Sequence, residues 1–238
     1  KQLTAYGLRP DKPVSWQHAH GHQYAGALEM LSTRKLAYRC SCSRKDIRQR
    51  RIIAGQRPAG AGEELIYDGF CRNRTINAQQ THAWRLNTQG PAIEWHERFN
   101  SQRHNESVEQ LCGDFVLRRR DQLWSYQLAV VVDDAAQSVT HVVRGDDLSG
   151  NTARQCLLQA RLALPRPSYL HLPVVRDADG KKLSKQTHAP PVPTPSNDTD
   201  LKNQLNQSLK HLGLAEVSAG SMESFWAEAT ARWAGRYL

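Results

Sequence analysis

Two lysines flank a serine in the segment Lys182-Leu183-Ser184-Lys185, which follows an Asp-Ala-Asp-Gly turn at 177–180. A short strand is predicted just upstream, at 169–175. Lysine side chains can neutralise phosphate charge without being consumed, and the serine hydroxyl can add a hydrogen bond. The spacing therefore favours binding of a nucleoside triphosphate. The alternative is a solvated surface loop, since lysine-rich loops are common.

Three cysteines form a second group with possible chemistry. Cys40 and Cys42 make a Cys-x-Cys pair, and Cys71 follows after a basic loop. Thiolates are good zinc ligands, and a closed structural zinc site needs four donors in a tetrahedron. From chemistry alone, Asp68 and His82 are candidates for the fourth position. The spacing predicts a zinc site, with three unrelated buried cysteines as the alternative.

Charged residues follow a predicted buried strand. The segments at 130–132 and 139–143 are rich in β-branched residues, and both are predicted to be strands. Arg144 and Asp146 come directly after the second segment. Ligands of open α/β sheets sit at the carboxyl ends of the strands. Arg144 is therefore suited to pairing with a substrate carboxylate, although it could instead pair with Asp146.

The composition favours a polyanionic partner. The 238 residues carry a net charge of +9 and have a pI near 9.5, which suits a polyanion such as tRNA, although charge alone does not choose RNA over ATP or DNA. No run approaches the roughly 18 apolar residues of a membrane span, and no secretory signal peptide is recognised, so we expect a cytoplasmic protein with no membrane partner. The few, odd-numbered cysteines favour a reducing compartment. Cys112 and Cys156 are expected to be core thiols.

The chain is predicted to have two parts. The first is a catalytic domain at 1–188 with an inserted segment at about 40–82, and the second is a linker with a C-terminal helical part at 189–238. The middle of the insertion, at 48–62, is rich in Arg, Gly and Ala and is predicted to be mobile. Residue spacing predicts helices at 16–36, 152–163, 200–212 and 221–233, strands at 84–87, 93–99 and 115–118, and a proline-rich linker at 189–195.

Taken together, the motifs resemble those of class I aminoacyl-tRNA synthetases of the glutamyl/glutaminyl group. The resemblance spans about 3–213 and rests on four motifs: Tyr-x-Leu-Ala-x-Val-Val-Asp-Asp from Tyr126, Val-x-Arg-Gly-x-Asp-Leu around Arg144, the later His-Leu-Pro, and Lys-Leu-Ser-Lys. Gln186, after the second lysine, favours the short branch of the family. That branch lacks an anticodon-binding domain and attaches glutamate to the queuosine base of tRNA(Asp).

This resemblance implies a fold and a set of ligands. The fold is α/β, a class I synthetase Rossmann-like catalytic domain with a zinc-binding insertion and a short C-terminal helical part. The implied ligands are zinc, glutamate, ATP with Mg²⁺, and tRNA(Asp) bearing queuosine, bound by a protein that is a monomer when intact. The implied site residues are Lys182 and Lys185 for catalysis, with Lys185 on ATP; Tyr126 and Arg144 for glutamate; and Cys40, Cys42, Tyr67 and Cys71 for zinc. Tyr126 has a structural alternative, a core aromatic with a satisfied hydroxyl.

The opening strand and His-x-Gly-His-type motif of the family, which bind the ATP phosphates and adenine, are not recognised here. We therefore expect 1–188 to be an incomplete domain, in an inactive fragment or a decayed protein. Ala19-His20-Gly21-His22 is not taken as that motif, because no hydrophobic strand precedes it, and both histidines are expected on a solvated helix face. Two rival functions stay open: a fragment of a glutamyl-tRNA synthetase that charges tRNA(Glu), and a non-catalytic remnant that binds zinc and RNA.

Overall fold

A computed structural model describes residues 2–57, 60, 63–77, 79–183 and 189–237. The α-helices of this part are α1 (Gln2–Ala5), α2 (Gly21–Thr33), α3 (Arg44–Ile53), α4 (Val108–Cys112), α5 (Tyr126–Ala136), α6 (Thr152–Leu162), α7 (Asp198–His211) and α8 (Met222–Tyr237). The strands are β1 (Ala37–Cys40), β2 (Ala83–Leu86), β3 (Ile93–His96), β4 (Arg103–Glu106), β5 (Val116–Arg118), β6 (His141–Gly145) and β7 (Ser168–Leu172). Short 3₁₀ helices lie at Gln17–His20 and Asp146–Asn151.

The main hydrophobic core forms where α2, α5 and α6 pack together and against the strands. α2 buries Tyr24, Leu28 and Leu31, whose spacing places them on one face of the helix. The helix predicted at 152–163 is confirmed as α6. The one predicted at 16–36 divides into the first 3₁₀ helix and α2.

Cys112 and Cys156 are core thiols, as predicted. Their exposed fractions are 3% and 0%, and both belong to the main core. Burial raises the pKa of Cys112 to about 12 and that of Cys156 to about 11. Both side chains therefore remain protonated and act as small apolar groups.

Arg144 lies near the carboxyl end of a strand that belongs to a parallel βαβ unit. β6 is followed by the second 3₁₀ helix and by α6, which returns the chain to β7. The two strands pair in parallel, with Arg144 opposite His171 and Gly145 opposite Leu172. The predicted strand at 139–143 is thus confirmed, starting at His141. Its carboxyl end lies beside the carboxyl end of β7.

The segment at 130–132, predicted to be a strand, is helical instead. It lies within α5, which begins where the Ser125 hydroxyl accepts a hydrogen bond from the Leu128 backbone N–H at 3.3 Å. Leu128, Ala129 and Val131 are buried against the core. Packing of this helix face outweighs the β preference of valine, because intrinsic propensities are weak compared with tertiary contacts.

Antiparallel pairs make up the other sheets. β2 lies between β1 and β5 in one sheet, and β3 pairs with β4 in a separate hairpin. The strands predicted at 84–87, 93–99 and 115–118 are confirmed with somewhat different bounds. These sheets frame the segment between β1 and β2, which is the predicted insertion.

The middle of the insertion, predicted to be mobile over 48–62, begins as ordered helix. α3 extends to Ile53 and starts with a capping box, in which Ser43 and Asp46 each accept a hydrogen bond from the other's backbone N–H. Ile47 is only 3% exposed, so α3 is anchored to the cluster of buried residues around the cysteines. The cap and this buried residue explain why an Arg-rich sequence is helical here.

The C-terminal part is a small helical unit with its own core. Phe225 of α8 is fully buried and packs in one cluster with Leu209 of α7. Both predicted C-terminal helices are confirmed, and residues 189–195 carry no helix or strand, as predicted for a linker. Within the described residues, no helix is both long enough and apolar enough to cross a bilayer.

Candidate metal and substrate sites

The three clustered cysteines meet at one point. Cys40 ends β1, Cys42 lies just before α3, and Cys71 lies in the turn after the insertion's basic loop. Their Sγ atoms all lie within 4.8 Å of one another, and those of Cys42 and Cys71 are 3.4 Å apart. Tetrahedral Zn–S bonds of about 2.3 Å would separate the sulfurs by about 3.8 Å. The geometry therefore fits a metal ion bound by three thiolates.

The Tyr67 hydroxyl faces the same point. Its oxygen lies 3.3 Å from Cys40 Sγ and 3.6 Å from Cys42 Sγ, and it accepts a hydrogen bond from the Cys71 backbone N–H at 2.9 Å. An oxygen ligand about 2.0 Å from zinc would lie about 3.5 Å from each tetrahedral sulfur. The Tyr67 oxygen is thus at the right distance for the fourth ligand.

The two other candidates for the fourth position are engaged elsewhere. The Asp68 carboxylate binds Arg50, accepting hydrogen bonds from Nε at 2.7 Å and Nη2 at 3.0 Å. The His82 ring bonds to the Gln80 carbonyl oxygen at 2.7 Å. Neither residue belongs to the cysteine cluster found among the described His, Cys, Asp and Glu residues.

The cysteine cluster ionises unevenly in the absence of a metal. Burial raises the pKa of the Cys42 thiol to about 11. Burial also raises the pKa of Tyr67, and its hydrogen bonds with the cysteines add to the rise. The pKa of Cys71 is lowered, because hydrogen bonds with Tyr67 and Cys42 outweigh the opposing effect of burial. Metal binding here must displace protons, since zinc binds thiolates.

Residues behind the cluster hold Tyr67 and Cys71 in place. Gly113 forms a backbone bridge with Tyr67, and a Cβ at Gly113 would lie 2.1 Å from the Tyr67 carbonyl oxygen. The next residue, Asp114, is fully buried and accepts hydrogen bonds at 2.9 Å from both Nε and Nη2 of Arg72. The same carboxylate accepts bonds at 2.8 Å from the backbone N–H and the hydroxyl of Thr88. The insertion is thereby tied to the end of β2.

The lysine segment leaves the predicted Asp-Gly turn as one arm of a small hairpin. Gly180 adopts a φ of +76°, which favours glycine at the tight turn. Beyond it, the Leu183 backbone N–H donates to the Val175 carbonyl oxygen at 3.0 Å. Lys182 forms an ion pair with Asp147 in the second 3₁₀ helix. Lys185 lies outside the described residues.

Arg144 is held by acceptors from two neighbouring elements. Its Nε donates to His171 Nε2 at 3.0 Å, Nη1 to Gln155 Oε1 at 2.8 Å, and Nη2 to Thr152 Oγ1 at 2.9 Å. The predicted alternative of an ion pair with Asp146 is not observed in the described part of the chain. Arg144 is half-buried. One side of its guanidinium group is therefore fixed by the βαβ unit.

A buried carboxylate orients the histidine that contacts Arg144. The His171 backbone N–H donates to Glu97 Oε1 at 3.0 Å, and its ring Nδ1 pairs with Glu97 Oε2. His171 and Glu97 are 3% and 5% exposed. Because Nε2 accepts from Arg144, the ring proton belongs on Nδ1, facing the carboxylate. Glu97, His171 and Arg144 thus form one hydrogen-bonded chain.

Tyr126 lies at the first residue of α5 and is 48% exposed. Within the described ranges its hydroxyl has no hydrogen-bond partner, so it is not the satisfied core aromatic that was its alternative. The adjacent Gln127 donates to Asn151 Oδ1 at 2.6 Å. Asn151 ends the 3₁₀ helix that also contains Asp147, the partner of Lys182. This 3₁₀ helix therefore links the surroundings of Lys182, Arg144 and Tyr126.

His20 is more buried than predicted. Its ring lies between Ser15 Oγ and Asp133 Oδ1, each 2.8 Å away, so the expectation of a solvated histidine is wrong for this residue. Asp133 also accepts from the Tyr24 hydroxyl at 2.8 Å, and this buried carboxylate attracts the polar groups of the helix start. His22 is exposed, as predicted.

Sequence reasoning missed several polar residues of these sites. Glu97 and His171 are 74 positions apart in the chain, and Arg72 and Asp114 are 42 apart. His171 lies within the recognised His-Leu-Pro motif, which was the available signal for it. No local pattern marks Glu97, because its partners are brought to it by the pairing of the elements.

Comparison with known proteins identifies the family of this chain. Residues 1–226 match the family described as tRNA synthetases class I (E and Q), catalytic domain. The chain is 44% identical to the glutamyl-Q tRNA(Asp) synthetase of Leptothrix cholodnii, covering 100% of this chain and 79% of that protein. It is 42% identical to the protein of the same name from Burkholderia cenocepacia strain HI2424, covering 99% of this chain and 78% of that one.

A solved structure shows the same fold. The glutamate tRNA ligase of Elizabethkingia meningosepticum, crystallised with its amino acid, superposes with a TM-score of 0.63 at 20% identity. The match covers 78% of this chain and 40% of that ligase, so the chain spans less than half of the ligase's length. The predicted class I synthetase fold is confirmed by these matches. The chain belongs to the glutamyl and glutaminyl branch of class I tRNA synthetases and is related to it through the catalytic domain.

Proposed function

We propose that this protein activates glutamate with ATP and transfers it to the queuosine base of tRNA(Asp). The observation that carries the proposal is 44% identity across the whole chain to a relative named for that reaction. The net charge of +9 supports an RNA partner, because Lys and Arg residues neutralise phosphates. The ligand-binding geometry at the end of the βαβ unit supports a small anionic substrate.

In the first step, a glutamate carboxylate oxygen attacks the α-phosphorus of ATP. A new P–O bond forms, the bond to the bridging oxygen breaks, and pyrophosphate leaves with the electron pair. Catalysis of this type consists mainly of positioning and charge stabilisation. Lys182, beside the 3₁₀ helix after β6, and Lys185 further along the same segment are proposed to neutralise the phosphates. Mg²⁺ bound with ATP would neutralise part of the same charge.

Arg144 and Tyr126 are proposed to bind glutamate. A guanidinium group has five N–H donors, and Arg144 uses one on each nitrogen for His171, Gln155 and Thr152. One N–H remains on each Nη atom, which is the pair needed for a bidentate carboxylate contact. The exposed Tyr126 hydroxyl adds a donor or acceptor for the rest of the amino acid.

In the second step, a hydroxyl of the cyclopentene diol of queuosine attacks the carbonyl carbon of glutamyl adenylate. The new ester bond forms as the bond to the AMP phosphate oxygen breaks, AMP leaves with the electron pair, and the hydroxyl proton passes to solvent. The bound RNA must therefore bring one modified base to the same end of β6 and β7. This requirement is geometric, and we propose that Arg144 and Lys182 lie at that point.

We further propose a structural zinc ion held by Cys40, Cys42, Cys71 and Tyr67. The measured sulfur and oxygen distances support this donor set. Bound zinc would crosslink β1, the start of α3 and the turn after the basic loop. We assign it no part in the two chemical steps, since its ligands lie in the insertion, with Cys40, Tyr67 and Cys71 buried and Cys42 half-buried.

The alternative is transfer of glutamate to the terminal adenosine of tRNA(Glu). The fold shared with a glutamate tRNA ligase favours it as the second candidate. A third reading, a remnant that binds zinc and RNA without catalysis, predicts no activation of glutamate under any condition. The acceptor nucleoside separates the first two, and ATP–pyrophosphate exchange separates both from the third.

The test supplies labelled glutamate and ATP to the chain, alongside a version extended upstream. The acceptors are tRNA(Asp) with queuosine, the same tRNA with unmodified guanosine, and tRNA(Glu). We expect the extended version to incorporate glutamate into the first of these tRNAs alone, and Arg144→Ala in that version should abolish the incorporation. Incorporation into tRNA(Glu) alone would replace the proposed function with the second candidate. Absence of pyrophosphate exchange in both versions would leave the non-catalytic reading.

A further inference from the structure

A second cleft lies beside these residues. It has a volume of about 830 Å³ and lies between the β3–β4 hairpin and the start of β7. That volume is within the usual range for ligand pockets. The cleft includes Ser168 at the amino end of β7, whereas His171 and Arg144 lie toward the carboxyl ends of their strands. Tyr169 also lines the cleft, and its ring centroid lies 6.3 Å from that of His171 and 5.3 Å from Arg144 Cζ, so the cleft borders the proposed reaction site.

The cleft carries an excess of positive charge. It is lined by Arg98, Arg103 and Arg166, with Glu94 as its carboxylate. Arg166 Nη1 donates to the Glu94 backbone carbonyl at 2.8 Å, which fixes one guanidinium group at the rim. For the guanidinium groups of Arg98 and Arg103, no hydrogen bond or ion pair is formed with any described residue. Both are therefore available to an anion.

A rigid aromatic pair forms one wall of the cleft. Trp95 and His104 are opposite each other on β3 and β4, and their rings stack at 4.0 Å with an interplanar angle of 5°. Trp95 is 7% exposed, and its Nε1 donates to Glu106 Oε2 at 2.7 Å. This hydrogen bond fixes the orientation of the Trp95 ring on which His104 stacks. His104 is half-buried and lines the cleft. Its ring is a preformed surface on which a planar group can stack.

Arginines beside an aromatic surface are the combination with which proteins bind unpaired nucleotides. Guanidinium groups bind phosphate oxygens in pairs, and bases stack on aromatic or histidine rings. We propose that this cleft binds one nucleotide of the RNA substrate, with its phosphate on Arg98 and Arg103 and its base on His104. The proposal rests on the RNA partner of the proposed function. We take this nucleotide to be a neighbour of the reacting one, because Arg144, Lys182 and Tyr126 do not line the cleft.

The test measures binding of the chain to a fluorescently labelled tRNA(Asp) transcript as a function of salt concentration. Each phosphate contact contributes about 0.9 to the slope of log K against log[salt]. The double variant Arg98→Ala/Arg103→Ala should weaken binding about tenfold at low salt and reduce the slope by about 1, because both arginines bind the same phosphate. His104→Ala should weaken binding about tenfold and leave the slope unchanged, since it removes stacking and no charge.

The matched control removes two arginines elsewhere. Arg57 and Arg119 have side chains 76% and 59% exposed and do not line the cleft. Arg57→Ala/Arg119→Ala changes the net charge by the same amount and should have a much smaller effect. Equal effects of the two double variants would overturn the cleft as a site and leave only diffuse charge. If the cleft double variant does not fold by circular dichroism, Arg103→Gln alone should still weaken binding and reduce the slope by up to about 1.

Further measurements distinguish an RNA phosphate from that of a free nucleotide, and failure of the cleft proposal from failure of the proposed function. AMP binding is measured on the wild type and on Arg98→Ala/Arg103→Ala. If the variant loses AMP binding while its RNA affinity is unchanged, the cleft binds a free nucleotide and the RNA site is overturned. A wild-type chain that binds no RNA would contradict the RNA partner of the proposed function itself. Wild-type binding that neither Arg98→Ala/Arg103→Ala nor His104→Ala alters would overturn the cleft alone.

Discussion

Hydrogen bonds to neighbouring residues fix the orientation of the Arg144 guanidinium group. Its three nitrogens each donate to a different acceptor, His171, Gln155 or Thr152. Lysine could not reproduce this contact, because an ammonium group is a point charge without the planar fork of arginine. The buried Glu97 fixes His171 in turn. A substrate carboxylate would therefore meet a donor pair whose orientation is already established.

The donor set of the cysteine cluster leads to the first prediction. We expect one zinc ion per chain, and Cys42→Ser should lose it, because two thiolates and one phenol leave the tetrahedron incomplete. Tyr67→Phe should retain zinc with lower affinity, since three thiolates remain. Elemental analysis of the purified proteins measures the zinc content, and a chelator competition ranks the affinities.

Cys156→Ser is the control for the zinc prediction, because Cys156 is a core thiol outside the cluster. It should keep one zinc ion per chain. A Cys42→Ser protein with full zinc content would show that the cysteines are unrelated core residues. Well under one zinc ion per wild-type chain would lead to the same conclusion.

At the level of elements, one carboxylate connects the insertion to the sheet. Asp114 lies between α4 and β5 and binds Arg72, next to Cys71, and Thr88, just beyond β2. Arg72 and Asp114 form a largely buried ion pair, with side chains 14% and 0% exposed. The cysteine cluster therefore depends on contacts outside its own segment of the chain.

The second prediction concerns this ion pair. Asp114→Ala should lower the free energy of unfolding by about 3 kcal/mol, because it leaves the largely buried Arg72 with only the exposed Glu109 carboxylate and removes the acceptor of Thr88. Urea unfolding followed by circular dichroism measures the change. Asp121→Ala breaks the exposed pair with Arg119 and should change stability by about 1 kcal/mol or less. A similarly small effect of Asp114→Ala would show that the pair does not anchor the insertion.

The sequence predicts helices and strands correctly where the residue pattern of the segment itself determines its secondary structure. The helix at 152–163 and the strands at 84–87 and 115–118 were predicted with bounds close to those observed. The segment at 130–132 was assigned to a strand because three successive valines favour extended backbone. Only the packing of α5 against α2 and α6 shows why those valines are helical.

Across the whole molecule, the parallel sheet has an open edge. β6 pairs with β7, and among the described residues it has no second strand partner. Val143 on this strand is 55% exposed. An exposed strand edge with apolar side chains is a template for pairing with another chain. The structure thus gives a physical reason to expect self-association of the 238-residue chain.

The third prediction tests this edge. The chain should form dimers or larger species as its concentration rises, and Val143→Lys should shift it toward monomer, because a charge on the edge strand disfavours pairing. Sedimentation velocity over a concentration series measures the distribution. Val175→Lys is the control, since Val175 is 51% exposed but lies beyond β7. A wild-type chain that stays monomeric, or equal effects of both substitutions, would contradict a role for the β6 edge.

By itself, the sequence determined the family, the positive charge and the residue types that can do chemistry. Those properties are local: they depend on composition, on motifs around Tyr126 and Arg144, and on the spacing of Cys40 and Cys42. The tertiary structure decided which groups meet. It brought Tyr67 rather than Asp68 or His82 to the cysteines, and it placed Glu97 behind His171. Such contacts form between segments far apart in the chain, so the free energy of packing decides them and no local pattern records them.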